Sequence, residues 1–171
     1  MPQIRKHIAK DLQRIRTLHY PIVRDTQRIY RHQALLGIGG NMGNVIRRFE
    51  HLYNFLVKSS FITIIETSPI LRNPPFGYLA QDDFYNALIS VQTDLTAMEL
   101  LAYILRVEKR FGRKRSFANA PRTLDIDMIF YDTIKIDKPR LTVPHPHWQE
   151  RDSVVIPLGE MKGRIWSKRH S

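Results

Sequence analysis

Pro121-Arg122-Thr123-Leu124-Asp125-Ile126-Asp127-Met128-Ile129-Phe130 alternates polar and apolar residues from Thr123 onward, the period-two pattern of a strand with one face in the core. On this reading Leu124, Ile126, Met128 and Phe130 face inward. Asp125 and Asp127 then project together from the opposite face, roughly 7 Å apart at their Cα atoms. Two carboxylates held side by side repel unless a cation lies between them. Arg122 precedes the pair, and Arg113, Lys114 and Arg115 lie just upstream. Carboxylates for Mg²⁺ beside arginines for phosphate oxygens are the parts that phosphoryl transfer needs. Taken alone, the pair also reads as solvated surface aspartates.

The rest of the chain builds a frame around this strand. Residues 34–38 read as a short buried strand, followed by a glycine-rich turn at Gly39, Gly40 and Gly43. Val45, Phe49, Leu52 and Leu56 then recur at helical spacing. Residues 61–67 are apolar and β-branched, a second strand, and 84–93 a third. Between them, residues 68–83 carry Pro69, Pro74, Pro75 and Gly77 and read as a long functional loop. Thr96 and Glu99 form a capping box for a helix that stops at Gly112. A basic loop, 113–120, leads back to the aspartate strand. The order β-α-β-β-α-β predicts an α+β, ferredoxin-like sandwich, with helices on one face of an antiparallel sheet. A small extra strand is expected through Ile136, and residues 140–146 run extended.

Ahead of this body, Ile4, Ile8, Leu12, Ile15 and Leu18 fall at three- and four-residue spacing, which predicts an amphipathic N-terminal helix ending before Pro21. The chain therefore divides into a basic helical extension, residues 1–32, and a catalytic domain, residues 33–171. Removal of the extension is expected to spare catalysis, and its apolar stripe offers a route to self-association.

The formal net charge is +11, of which residues 1–32 supply +6, with eight Lys/Arg against Asp11 and Asp25. That balance calls for an anionic partner. The basic residues of the body gather around 113–122, 140 and 151, as a phosphate pocket requires. There are no cysteines, which excludes disulfides and Cys-based metal or redox sites. Apolar runs are too short to span a membrane, and no signal peptide is visible, so a cytoplasmic protein is expected.

Further residues carry chemical meaning by position. Glu108 continues the apolar face of its helix, so its carboxylate either snorkels at the helix end or faces an enclosed polar site. Asn86 shares a strand face with Phe84, where an amide reads the edge of a heterocycle and a ring stacks on it. His145 is held between Pro144 and Pro146.

Gly39-Gly40-Asn41, Asn73-Pro74-Pro75-Phe76-Gly77, Phe84-Tyr85-Asn86, Glu108 with Gly112-Arg113, P-R-T-L-D-I-D at 121–127, and R-L-T-V-P-H at 140–145 with Arg151 together resemble the hydroxymethyl-dihydropterin pyrophosphokinases of folate biosynthesis over roughly residues 34–160. The resemblance implies the ferredoxin-like fold and transfer of diphosphate from ATP to a reduced hydroxymethyl-pterin, releasing AMP. It implies two Mg²⁺ ions on Asp125 and Asp127. Arg113, Arg115 and Arg122 would neutralise the transferred group, the first two on a closing loop, while Asp127 or solvent accepts the hydroxyl proton. Glu108, Arg113, Arg115, Arg122, Arg140, Thr142, His145 and Arg151 would line the ATP site. Asn73, Pro74, Pro75, Phe76, Phe84 and Asn86 would hold the pterin. Asn119 and Ala120 depart from the family pattern, as does Ser153, where a second stacking phenylalanine is common. Two other readings use the same features: a two-metal nucleotidyl transferase or nuclease, and a non-catalytic RNA-binding module. Sparse strand aromatics and the carboxylates on the exposed face speak against RNA, so nucleic acid is not the expected partner.

Overall fold

The computed structural model describes residues 3–26, 30–75, 77–113 and 121–162. The centre of the sheet is β4 (His32–Gly40), paired on one side with β7 (Phe84–Thr93) and on the other with β8 (Asp125–Tyr131), both antiparallel. On its far side β7 is long enough to pair with two strands end to end. These are β5 (Ile62–Thr67), opposite its second half, and β6 (Ile70–Asn73), opposite its start. At the break between them, Ser68 N donates to Leu88 O, and Ser68 Oγ accepts from Leu88 N, so the ladder is satisfied across the kink. β6 occupies part of the stretch expected to be a loop and shortens that loop to residues 74–83.

Helices α1 (Val45–Val57) and α2 (Ala97–Arg110) cover one face of the sheet. Their buried residues Phe49, Leu52, Leu100 and Ile104 pack with Leu36, Ile38, Ile64, Ile89 and Met128. The capping box of α2 is present, with Thr96 Oγ1 accepting from Glu99 N and the Glu99 carboxylate accepting from Thr96 N. Gly112 terminates that helix in the left-handed region at φ 84°. A third helix, α3 (Asp152–Gly159), lies on the opposite face, where Val154 packs with Leu35, Leu88, Ile129 and Phe130. β9 (Ile136–Lys138) and β10 (Leu141–Val143) form a separate two-stranded ribbon.

Phe130 departs from the expected alternation. A bulge in β8 sets Leu36 opposite Met128 and Leu35 opposite Phe130. Ile129 is the extra residue, and it shifts Phe130 to the α3 side. Leu124, Ile126 and Met128, ahead of the bulge, face the helices as expected.

The N-terminal amphipathic helix is not present. Residues 4–16 form a hairpin, β1 (Ile4–Ala9) and β2 (Leu12–Arg16), turning at Asp11 with φ 61°. β2 pairs with β6, and β3 (Ile22–Val23) pairs with β5. The physical reason is that the three- and four-residue spacing is also met by two short strands: Ile4 and Leu12 share one face of the hairpin, while Ile8 falls at the bulge between His7 and Ala9. The outer edge of β6 offers backbone partners that a solitary helix does not. Ile15, at an odd position, falls on the other face and is 0% exposed, as is Tyr20. The helical stripe proposed for self-association is therefore absent, and Ile4 and Leu18 of that stripe are exposed.

Candidate active site

The site lies on the sheet face away from α1 and α2, and strand register explains why there is room for it. Even positions of β4, Ala34, Leu36 and Ile38, are in the helix-side core, so odd positions face the site. Two of these, Gly37 and Gly39, have no side chain. Gly37 pairs with Asp127 on one side and Leu88 on the other, and Gly39 pairs with Asp125 and Asn86. The floor is thus a bare double-glycine track, flanked by two carboxylates on β8 and by Asn86 and Phe84 on β7. These flanking strands are about 10 Å apart, two inter-strand spacings. Gly39 and Gly40 sit within β4, not in a turn. A Cβ at Gly39 would meet Asn86 Oδ1 at 2.6 Å, and one at Gly40 would meet Thr123 O at 2.6 Å. Of the three glycines expected to turn the chain, Gly43 has the left-handed backbone, at φ 69°.

The cleft over this floor is lined by Gly37, Gly39, Phe84, Asn86, Arg122, Asp125, Asp127, Arg151, Ser153 and Val154, among others. Its two ends differ chemically. At one end, Asn86 Nδ2 donates to Asn73 Oδ1 at 2.7 Å, which brings the start of the 74–83 loop against Phe84 and Asn86. At the other end the charges gather. Arg122 Nη1 donates to Asp125 Oδ2 at 2.8 Å, and Arg113 Nη1 bridges Asp125 Oδ1 and Glu108 Oε2. Glu108 is 3% exposed, so its helix position leads into an enclosed polar site. Burial raises its pKa, and the neighbouring Asp125 raises it further, while Arg113 opposes both. Asp127 is pushed up to about 7, first by desolvation and then by the negative charges of Asp125 and Glu108, against the weaker pull of Arg151 and Arg122.

Burial raises Asp127 first and the neighbouring carboxylates add to it; a cation beside the carboxylates would oppose both by favouring their charged form. Carboxylate oxygens are hard donors, and Mg²⁺ commonly uses one or two of them together with substrate phosphates. Asp125 and Asp127 therefore fit this ion. Among the described residues, no group of three or more His, Asp or Glu side chains is placed to hold a metal ion.

His145 lies near the same end. Its imidazole pKa is lowered by burial and by Arg151, with a small opposing pull from Asp125. Its Nδ1 lies 2.7 Å from Pro146 O. Arg140 and Thr142 are exposed on the β9–β10 ribbon and do not line the cleft. Arg115 and Phe76, and all but Arg113 of the expected closing loop, lie outside the described residues. Asn41, 5% exposed, has no role assigned by the sequence pattern. Its Nδ2 donates to Gln81 Oε1 and Asp82 O, and its Oδ1 accepts from Arg122 N at 2.9 Å. It joins the two ends of the cleft, and its place directly after two glycines at a strand end was the available signal.

Comparison with known proteins agrees with this chemistry. Residues 35–163 match the profile of the family described as 7,8-dihydro-6-hydroxymethylpterin-pyrophosphokinase. The 2-amino-4-hydroxy-6-hydroxymethyldihydropteridine pyrophosphokinase of Helicobacter pylori is 42% identical over 75% of this chain and 80% of its own length. The protein of the same name from Campylobacter jejuni is 40% identical over 82% of this chain and 89% of its own. A folic acid synthesis protein of Dictyostelium discoideum is 37% identical over 74% of this chain, within 19% of its own length. Matched over most of its length by both profile and relatives, the chain belongs to the 7,8-dihydro-6-hydroxymethylpterin-pyrophosphokinase family.

Proposed function

We propose that the two-ended cleft is where this enzyme transfers diphosphate from ATP to the hydroxymethyl group of 6-hydroxymethyl-7,8-dihydropterin, with AMP as the leaving product. The observation that carries the assignment is the gathering of Glu108, Arg113, Arg122, Asp125, Asp127 and Arg151 at one end of a cleft whose other end holds Phe84 and Asn86. The chain is an ATP-dependent diphosphotransferase of folate biosynthesis. The strand order β5/β6-β7-β4-β8, with α1 and α2 on one face, supports the ferredoxin-like sandwich. Residues 33–171 form the catalytic unit, to whose sheet the N-terminal strands are added.

Attack falls on the β-phosphorus, in the middle of a highly charged chain, so that charge must be screened before a neutral hydroxyl approaches. Asp125 and Asp127 would hold Mg²⁺, two ions by the family resemblance, which when bound screens and orients the phosphates. Arg122 presents a planar fork to the transferred group. Arg113, paired with Glu108 and Asp125, would reach phosphate oxygens together with Arg115, while the carboxylates would hold the ion. Arg151, His145, Arg140 and Thr142 serve the nucleotide. The pterin ring lies on Phe84, its polar edge read by Asn86 and Asn73, with Pro74, Pro75 and Phe76 closing over it. Ser153 leaves the face opposite Phe84 open. No helix among the described residues is long and apolar enough to cross a membrane, and we place the enzyme in the cytoplasm.

The test is product identity together with substitution. Wild-type enzyme with ATP, Mg²⁺ and the pterin should yield AMP and a pterin diphosphate. Asp125→Ala and Asp127→Ala should abolish turnover while retaining cooperative unfolding. Arg122→Ala should cost about 3 kcal/mol in kcat/KM, the scale of one charge-stabilising contact in a closed site. Near-normal turnover in either aspartate variant would remove the metal assignment.

A further inference from the structure

The first turn of α1 carries Arg47 and Arg48 and no acidic residue, although the positive end of a helix dipole favours carboxylates there. Arg48 has another use. Its Nη1 donates to Met42 O at 2.7 Å and to Thr123 O at 2.8 Å, so its charge is spent on two backbone carbonyls. Charged donors make the shorter and stronger hydrogen bonds.

The carbonyl at Thr123 matters because of where the ladder ends. Pairing of β8 with β4 stops at Asp125 opposite Gly39, so Arg122 and Thr123 lie beyond the last paired residue. Their position is set by a clamp. Asn41 N and Met42 N donate to Arg122 O at 3.0 and 3.3 Å, and Asn41 Oδ1 accepts from Arg122 N at 2.9 Å. Arg48 closes the clamp from α1. Among the described members of the clamp, it is the one that ties the 121–123 segment to a helix.

We infer that Arg48 is a positioning residue for diphosphate transfer, holding the Thr123 carbonyl so that the Arg122 guanidinium and the Asp125 carboxylate face the transferred group. This rests on the proposed role of Arg122. Arg48 acts through backbone geometry and touches neither substrate nor metal. Its loss should therefore lower kcat and leave the pterin KM little changed, since Phe84 and Asn86 are held by β7.

The experiment is a double-mutant cycle on the full chain, with steady-state kinetics and thermal unfolding of every variant. Arg48→Met keeps the length of the side chain and removes its donors. It should lower kcat by about tenfold to a hundredfold, the range expected for misplacing a catalytic group by up to 1 Å, with the pterin KM within about twofold. Arg48→Lys should restore part of the loss, because an ammonium can donate to both carbonyls but lacks the fixed plane. In an Arg122→Ala background, Arg48→Met should cost clearly less than it does in the wild type, because one of the two groups it positions is already gone and only Asp125 remains to be displaced. A full-sized loss in that background, or unchanged kcat in the single variant, overturns the inference. Should Arg48→Met not fold, the same cycle run with Arg48→Lys decides it by the same criterion. Wild-type turnover in Arg122→Ala would place the failure in the reading of Arg122 itself.

Discussion

Gly39 and Asn86 stand opposite each other on β4 and β7, and a Cβ on Gly39 would lie 2.6 Å from the Asn86 Oδ1. The amide lies across the glycine and donates from Nδ2 to Asn73. In Gly39→Ala the methyl group has to displace that amide, the nearest atom it meets. Overpacking of this kind costs about 1–3 kcal/mol. The expected result is a pterin KM raised about tenfold, a smaller change in the ATP KM, and a lower melting temperature. An unchanged pterin KM would mean that Asn86 does not read the pterin edge.

This relationship also marks what the sequence could disclose. Asp125 and Asp127 were legible because strand periodicity is local, and the capping box at Thr96 and Glu99 is a four-residue signal. The bulge at Ile129 was not legible, since an extra residue in one strand is defined only against its partner, here Leu35 and Leu36. The N-terminal hairpin was not legible because the spacing of Ile4, Ile8, Leu12 and Ile15 suits a helix, and the choice for strands is made by the β6 edge some 60 residues away. β6 itself was hidden among prolines. Glu108 was ambiguous until tertiary packing set Arg113 and Asp125 against it.

The elevated Asp127 fixes a sign for pH dependence. A carboxyl that titrates at about 7 in the fold and near 3.9 when unfolded favours the native state fully below the lower value. That contribution is lost as pH rises through about 7. Without Mg²⁺, Asp127→Asn should therefore gain stability over the wild type between pH 5 and pH 8. The gain should be on the order of 1–2 kcal/mol. Mg²⁺ at pH 8 should raise the wild-type melting temperature and not that of the variant. Chemical denaturation at the two pH values checks this, and a gain that shrinks on going to pH 8 would contradict the sign.

On the proposed reading, Arg113 would compete with a cation for the same carboxylates. It bridges Glu108 and Asp125, so Arg113→Ala leaves Glu108 without its ion-pair partner and Asp125 with Arg122 alone. Metal binding to the nucleotide-free protein should tighten, by about tenfold for the removal of a nearby positive charge worth roughly 1.4 kcal/mol. Turnover should nevertheless fall, since the arginine is no longer there to reach the phosphates. Titration with Mn²⁺ followed by electron paramagnetic resonance separates the two effects. Weaker metal binding in the variant would show that Arg113 organises the carboxylates and does not oppose the ion.

The N-terminal segment contributes to the fold through a few deeply placed groups. Ile15 and Tyr20 are fully buried in the main core, and Tyr20 Oη donates to Phe49 O at 2.9 Å. Thr17 Oγ1 donates to Glu50 at 2.6 Å, and His19 pairs with the same carboxylate while stacking on Tyr53. Arg14 reaches Glu160, at the end of α3, at 3.0 Å. Losing the burial of these two large apolar side chains costs roughly 1.5–3 kcal/mol each, and the outer edges of β5 and β6 are uncovered as well. A chain starting at His32 should therefore melt about 10–20 °C lower, at roughly 2–4 °C per kcal/mol for this size. Tyr20→Phe, which loses only the hydroxyl bond, should cost about 1 kcal/mol. The residues assigned to the cleft all lie after His32, so kcat per folded molecule should be retained at a temperature where the shortened chain remains native. Circular dichroism paired with kinetics at 15 °C tests both halves. A melting temperature equal to that of the full chain would show that the hairpin is an appendage, and a folded but inactive product would place part of the site within residues 1–31.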